Sequence, residues 1–222
     1  MKLFFLLFIA SLQCVAQDTV KTSVKKQRHR FPIWTYHQKN VTTHGVSLGL
    51  GSFADGTNSA NTNGVKIELI GAGIVMPFIP QSFVPTNDND FSKDIKDTLS
   101  EKINGIVISA SGTVCDCRTN GLVLGAIFHY NTKVNGASIS LAMNEALINN
   151  GLQFGMFTNC YKMNGLQIGG KNHSYYTNGV QIGLYNISKH LRGFQFGLWN
   201  VNEKRSLPVV NWYFGKGKKV KS

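Results

Sequence analysis

Glycine recurs at an almost fixed interval along the second half of this chain. The pairs are Asn135-Gly136, Asn150-Gly151, Asn164-Gly165, Asn178-Gly179 and, with arginine replacing asparagine, Arg192-Gly193. They are separated by fifteen, fourteen, fourteen and fourteen residues. A constant period marks a repeat architecture, in which one copy is one structural unit that buries itself against the next. Earlier copies open at His44-Gly45, Asn63-Gly64, Asn104-Gly105 and Asn120-Gly121, where wider spacing shows that insertions are accepted. The array therefore covers most of the chain.

Within a copy the side chains alternate with period two, which is the period of a strand. Leu152, Phe154 and Met156 share one face, opposite Gln153, Gly155 and Phe157. Val180, Ile182 and Leu184 do the same against Gln181, Gly183 and Tyr185, and Phe194 to Asn200 follows suit. Asn-Gly supplies the positive φ that a tight reversal needs. A second glycine recurs inside the strand, at Gly125, Gly155, Gly169, Gly183 and Gly197, and implies close approach or bending of the sheet there. The aromatic residues two positions on, Phe157, Tyr185 and Trp199, are candidates to cover a neighbouring glycine.

One segment breaks the pattern. From Phe91 to Ile103 the apolar residues Phe91, Ile95, Leu99 and Ile103 fall four apart among charges, which predicts a short amphipathic helix after a Pro-containing loop. The acidic residues Asp88, Asp90, Asp94 and Asp97 lack the order of ligands and glycine that a calcium loop requires.

The fold class is all-β, and two architectures fit. If one copy is one coil, like residues stack on like residues in a solenoid or rolled sheet with its apolar face inside. If one copy is one strand plus a turn, roughly ten to twelve strands form an up-and-down antiparallel barrel, with Phe31–His37 first and Leu207–Phe214 last. Lipid would then meet the apolar side, with Trp34, Trp199 and Trp212 as interfacial residues. The near-constant repeat length favours the solenoid.

The chain opens with Met1-Lys2, an apolar run from Leu3 to Ala10 and a small residue at Ala16, the pattern of a secretory signal peptide spanning 1–16. Acylation at Cys14 is disfavoured because Ser11-Leu12-Gln13 is a poor lipoprotein site. A basic flexible segment over 17–30, one repeat-built domain over 31–214 with an insertion at 77–103, and a basic tail over 215–222 complete the expected organisation. The net charge is +12, but the basic residues gather at the two ends, Lys21 to Arg30 and Lys216 to Lys221, and not along a repeat face, so nucleic acid is not the expected partner. Cys115, Cys117 and Cys160 remain after cleavage. Cys115-Asp116-Cys117 would place two sulfurs on one strand face, without the second ligand pair of a structural zinc site.

The segments Gly179-Val180-Gln181-Ile182-Gly183-Leu184-Tyr185-Asn186 and Gly193-Phe194-Gln195-Phe196-Gly197-Leu198-Trp199-Asn200, with the closing Leu207 to Trp212, carry a resemblance. They resemble the Gly-Val-Gln-Ile-Gly-Leu-x-Asn repeats of bacterial surface repeat-containing proteins of unknown function. The likeness runs from Asn150 to Trp212, fades towards Phe31, and is absent from the helical insertion and the tail. It implies a cell-envelope or surface location and carries over no catalytic residue.

The six histidines form no helical pair and accompany no nucleophile motif, so the sequence predicts neither an enzyme, a metal site nor a cofactor. The expected function is a structural or binding role at the cell envelope, outer membrane or cell surface. In that reading Gln153, Gln167, Gln181, Tyr185, Gln195 and Trp199 face an envelope component or glycan. The alternative is an outer-membrane barrel acting as pore or scaffold, and membrane association remains open.

Overall fold

Each glycine of the Asn-Gly series holds a positive φ, from +127° at Gly45 to +146° at Gly193, in a region that a side chain makes strained. In the computed structural model, which describes residues 27–51, 59–79, 81–95 and 99–215, these glycines do not reverse the chain as hairpin turns. They bend it. Gly45 lies opposite Gly64, Gly64 opposite Gly105, and so on through Gly121 and Gly136 to Gly151, always in parallel ladders. The chain is a β-solenoid. The expected signal peptide, Lys21, Lys25, Lys26 and the tail from Lys216 onward lie outside the described residues.

The strands are β1 (Arg28–Arg30), β2 (Ile33–Thr35), β3 (Val41–Gly49), β4 (Ala60–Glu68), β5 (Glu101–Ser109), β6 (Val114–Gly125), β7 (Phe128–Ser140), β8 (Met143–Val201) and β9 (Ser206–Tyr213). β8 is one extended segment wound over itself, so that Gly165 sits on Gly151, Gly179 on Gly165 and Gly193 on Gly179. The sheet runs in order from β1 to β9 without closing, and its ladders are parallel up to β8. An up-and-down antiparallel barrel is therefore not the fold. β1 begins the stack at Arg28, inside the segment expected to be flexible. β9 ends it by pairing antiparallel to β8, with an irregular register around Pro208 and Val209. Such an edge is a poor template for further strands.

The alternation of buried and exposed residues breaks at Leu184–Tyr185, at Lys189–His190 and at the Asn-Gly position, which gives each turn three sides. The longest side follows the glycine. Here the sequence-based expectation of an apolar interior is inverted: Val180, Ile182 and Leu184, like Phe194, Phe196 and Leu198, point out, while Gln181, Gly183 and Gln195 lie on the inside. The same holds for Val46, Leu48 and Leu50 at the first full turn and for Leu152, Phe154 and Met156 further on. In a parallel stack each inward amide meets a copy of itself, so a polar column can satisfy its own hydrogen bonds indoors.

Two apolar clusters do lie inside, Ile103, Val107, Cys115, Cys117, Val123 and Val134, and then Ala146, Cys160 and Met163. A third forms between the solenoid and the insertion that separates β4 from β5. Val84 and Phe91 of the insertion pack there on Phe128, Tyr130, Leu147, Tyr161 and Tyr176. The helix of the insertion, α1, spans Asp88–Asp94, shorter and earlier than the 91–103 read from the sequence. Asn87 caps it by accepting from the Asp90 amide at 2.9 Å. Ile103, which shared the helical spacing, is an interior residue of β5.

A Cβ on Gly165 would lie 2.2 Å from the carbonyl oxygen of Gly151, at a φ of +137°. Gly165→Ala should accordingly cost about 3 kcal/mol or more in denaturant unfolding. At Gly170, which points outward without positive φ, the nearest atom to an added Cβ is 3.1 Å away, and Gly170→Ala should stay within ~1 kcal/mol of the parent. Equal effects of the two substitutions would show that the stacked glycine does not set the turn.

Candidate functional site

Gln153, Gln167, Gln181 and Gln195, expected on a binding face, are fully buried. Gln167 Nε2 donates to Gln153 Oε1 at 3.1 Å, Gln181 to Gln167 at 2.7 Å and Gln195 to Gln181 at 2.8 Å. Each also donates across the interior to a main-chain carbonyl six residues on, as Gln181 does to Ile187 at 3.2 Å and Gln195 to Val201 at 3.0 Å. The column ties one side of the solenoid to another. Apart from Gln195 Oε1, which ends the column as a buried oxygen without a hydrogen-bond partner, its amide groups are consumed by this work, and all are closed off from solvent.

The next corner is built the same way. Thr158 donates to Asn172, Asn172 to Asn186 at 2.7 Å and Asn186 to Asn200 at 2.7 Å, all indoors. The Asn amides fold back over the strand glycines: a Cβ on Gly183 would meet Asn172 Nδ2 at 2.5 Å and the Gly169 carbonyl oxygen at 2.1 Å. This is the reason for the recurring glycine, and the inward asparagine rather than the outward aromatic occupies the space beside it. Once asparagine turns in, the residue before it must turn out. Phe157, Lys171, Tyr185 and Trp199 hold that position on successive turns, all exposed. Of the predicted binding residues, Tyr185 and Trp199 are thus on the surface, on neighbouring turns of one corner.

Beside this corner opens a cleft of about 400 Å³ lined by Met143, Glu145, Phe157, Thr158, Asn159, Lys171, His173 and Ile187. Sequence reasoning missed it, since its lining comes from residues of β8 that meet only when successive turns stack. Ser82 Oγ and the Phe83 amide donate to the Glu145 carboxylate at 2.9 and 3.0 Å, and Asn159 Nδ2 donates to both Ser82 Oγ and Glu145. His173 Nδ1 lies 2.9 Å from Asn159 Oδ1. Burial raises the Glu145 carboxyl above its usual range, against the hydrogen bonds it accepts. Burial, and then the Lys171 ammonium, lowers the imidazole of His173. The cleft therefore offers an aromatic wall and polar groups at its base, the makeup of a site for a polyhydroxylated ligand.

A second cluster lies inside the solenoid. Lys66 Nζ contacts Glu101 Oε2 at 2.5 Å and Glu68 Oε1 at 3.2 Å. Burial disfavours the ammonium, but Glu101 and Glu68 outweigh it and hold the lysine above its ordinary value. With two carboxylates sharing one cation, burial raises Glu101. The sulfurs of Cys115 and Cys117 lie 3.9 and 3.7 Å from Glu101 Oε2, which groups three metal-ligating side chains. The two cysteines form a disulfide, and Lys66 already supplies the positive charge at Glu101, so the group reads as a packed ionic centre. Cys160 is a free, buried cysteine whose thiol burial pushes up to about 12, far from reactive thiolate.

The fold also brings together charges that the sequence scatters. Lys102 is opposite Arg118 and Arg118 opposite Lys133, and Lys162 continues this outward column after Ile148. Basic residues are therefore arrayed along a repeat side, contrary to the reading from sequence. Next to them, at the Asn-Gly corner, Asn164 donates to Asn150, Asn150 to Asn135, Asn135 to Asn120, Asn120 to Asn104 and Asn104 to Asn63, at 2.6 to 2.8 Å. Comparison with protein-family models, with curated proteins and with solved structures found no match.

His129 is fully buried at the position that asparagine holds in later turns, opposite Asn144, and accepts from the Thr113 amide at 3.3 Å. Burial lowers its imidazole from 6.5 to about 4. The unfolded chain then binds the extra proton first as pH falls. The stability tied to neutral His129 is complete above about pH 6.5 and is lost towards pH 4, by about 3 kcal/mol. The raised Glu145 and Glu101 act in the opposite sense but are common to parent and His129→Asn variant. Unfolding free energies measured from pH 7 to 4 should show the parent losing stability relative to the variant; parallel profiles would place a charged or solvated imidazole at this position.

Proposed function

We propose that this chain is a non-catalytic, exported protein of the cell envelope or cell surface, with a binding role in which the aromatic corner engages an envelope glycan. The observation that carries it is the exposure of Phe157, Tyr185 and Trp199 along one corner, beside a cleft that holds Glu145, Asn159 and His173. Sugar rings present apolar C–H faces that stack on aromatics and hydroxyls that pair with amide, carboxylate and imidazole groups. Successive turns are about 4.8 Å apart, so the corner is a linear track suited to a chain-like ligand.

Export is supported by the charged, apolar and small-residue order of residues 1–16. The likeness of the Gly-Val-Gln-Ile-Gly-Leu-x-Asn units to bacterial surface repeat proteins points the same way. A non-catalytic role is supported by the use of the repeated amides within the fold and by the burial of Cys160 and the Lys66 centre away from solvent. The glutamines drop out of the proposed surface, and Tyr185 and Trp199 remain.

Binding of the purified chain to isolated envelope polysaccharide, measured by calorimetry, tests this. Tyr185→Ala and Trp199→Ala should each weaken binding about tenfold, equivalent to ~1.4 kcal/mol, with an unchanged circular dichroism spectrum. Retained affinity in both variants would overturn the assignment.

A further inference from the structure

We infer that the long apolar side of the solenoid is the face on which a second copy of this chain packs. Every turn from β3 to the end of β8 contributes outward positions to it, among them Leu48, Ile108, Phe154, Ile182 and Phe196, and β9 continues it with Trp212 opposite Phe194. None of these outward positions carries a charge. Their exposure is large: 63% for Leu184 and 71% for Leu198. The insertion covers another part of the solenoid, where Val84 and Phe91 pack; on this side the Arg205 guanidinium lies over the Trp212 ring at 4.4 Å, and the outward residues of the glycine-led turns stay exposed or half-buried.

The size of the face selects the partner. The glycine-led turns from Gly45 to Gly193 and β9, spaced about 4.8 Å apart, with outward positions spread over four residue steps of about 3.3 Å, give a footprint of roughly 600 Å². That stands at the upper end of the largest apolar patch on a typical monomer, about 300 to 600 Å². Doubled across a two-fold axis it comes to about 1,200 Å², the lower end of the roughly 1,200 to 2,000 Å² of a specific interface. The in-register stack makes the face flat, so two copies can pack as two sheets about 10 Å apart.

A two-fold axis through the turn of Ala137 and Ile139 brings the large Phe194 and Phe196 of one copy over the smaller Val46 and Leu48 of the other. A lipid surface would instead call for cations around the face. Around the rim the cations are scattered singly, Lys171 on the aromatic corner, Arg192 on the Asn-Gly corner and Arg205 at the β9 end, while the basic column of Lys102, Arg118 and Lys133 lies on another side, beyond the Asn-Gly corner. Its neighbour at the rim is the neutral Asn ladder.

Sedimentation velocity of the purified chain at micromolar concentration should give the mass of a dimer. Ile182→Glu combined with Ile108→Glu should raise the dissociation constant at least about a hundredfold, while Lys189→Glu on another side and Trp199→Ala should leave the dimer intact. The Trp199 variant separates this inference from the glycan reading, since each can fail alone. Ala137→Cys, next to the proposed axis, should cross-link to its own copy with a short bis-maleimide, without loading the face with charge. A monomeric parent, dimers that survive the double substitution, or no Ala137→Cys cross-link overturns the proposal. So does a lipid-free monomer that floats with phosphatidylglycerol vesicles through the same face.

Discussion

A carbonyl oxygen stands about 2 Å from where the Cβ of each repeat glycine would be, and from Gly64 onward it belongs to the glycine one turn below. That contact is the constraint on which the rest of the solenoid depends. It fixes the register, because no other residue type fits the approach, and it fixes the bend, because the mirror-image φ is open only to glycine. Once the glycines are stacked, every position within a turn lies on its own equivalent. Turn length can vary only where the extra residues leave the stack, as they do before β5, where the insertion carrying α1 departs and returns with Gly105 still on Gly64.

Like-on-like stacking also decides what the interior contains. A glutamine facing another glutamine at the spacing of a β-ladder has a donor and an acceptor already aligned, and the net gain of about 1 kcal/mol per bond accrues at each turn. Burying one such residue alone would leave an amide unpaired at a cost of about 1–3 kcal/mol. The column from Gln153 to Gln195 is therefore cooperative. In the earlier turns the inward position holds Ser47, Lys66, Val107, Val123 and Ser138, and no such ladder is available. There the interior is filled by the apolar cluster around Val107 and Cys117 and by the Lys66 ion group. The two halves have one backbone plan and two kinds of core.

The sequence made the repeat, the strand period and the all-β class legible, because each is a matter of spacing. It did not reveal which face is inside. Leu, Ile and Phe alternating with Gln and Gly suggests an apolar core whenever a strand is considered by itself, and the preference inverts only when the parallel neighbour supplies the amide's partner. Ile103 shows a related limit: its four-residue spacing from Leu99 fits a helix, but the chain between them crosses from the insertion into β5. Tyr185 and Trp199 were legible as surface residues because the following asparagine is itself a repeat feature. The cleft at Glu145 and the column of Lys102, Arg118 and Lys133 were not: the cleft forms only when turns of β8 stack and Ser82 and Phe83 of the insertion bind Glu145, and the column crosses the irregular register at Cys115–Arg118.

A core whose Gln and Asn columns bond from turn to turn leaves the apolar residues free to serve elsewhere. In most sheets the apolar face is spent on folding, and burying each large side chain is worth about 1.5–3 kcal/mol. Here the backbone ladders, the Gln and Asn columns and the packing of the insertion on the tyrosine-rich side hold the turns together without it. The three sides consequently have separate chemistries: an uncharged apolar sheet, a side partly covered by the insertion next to an aromatic corner, and a basic side beside the Asn ladder. Association through the first leaves the aromatic corner at its rim, where Trp199 and Tyr185 on each copy remain open to solvent. A paired solenoid would then carry two tracks for a linear ligand, and occupancy of both would strengthen attachment by effective concentration without any new contact.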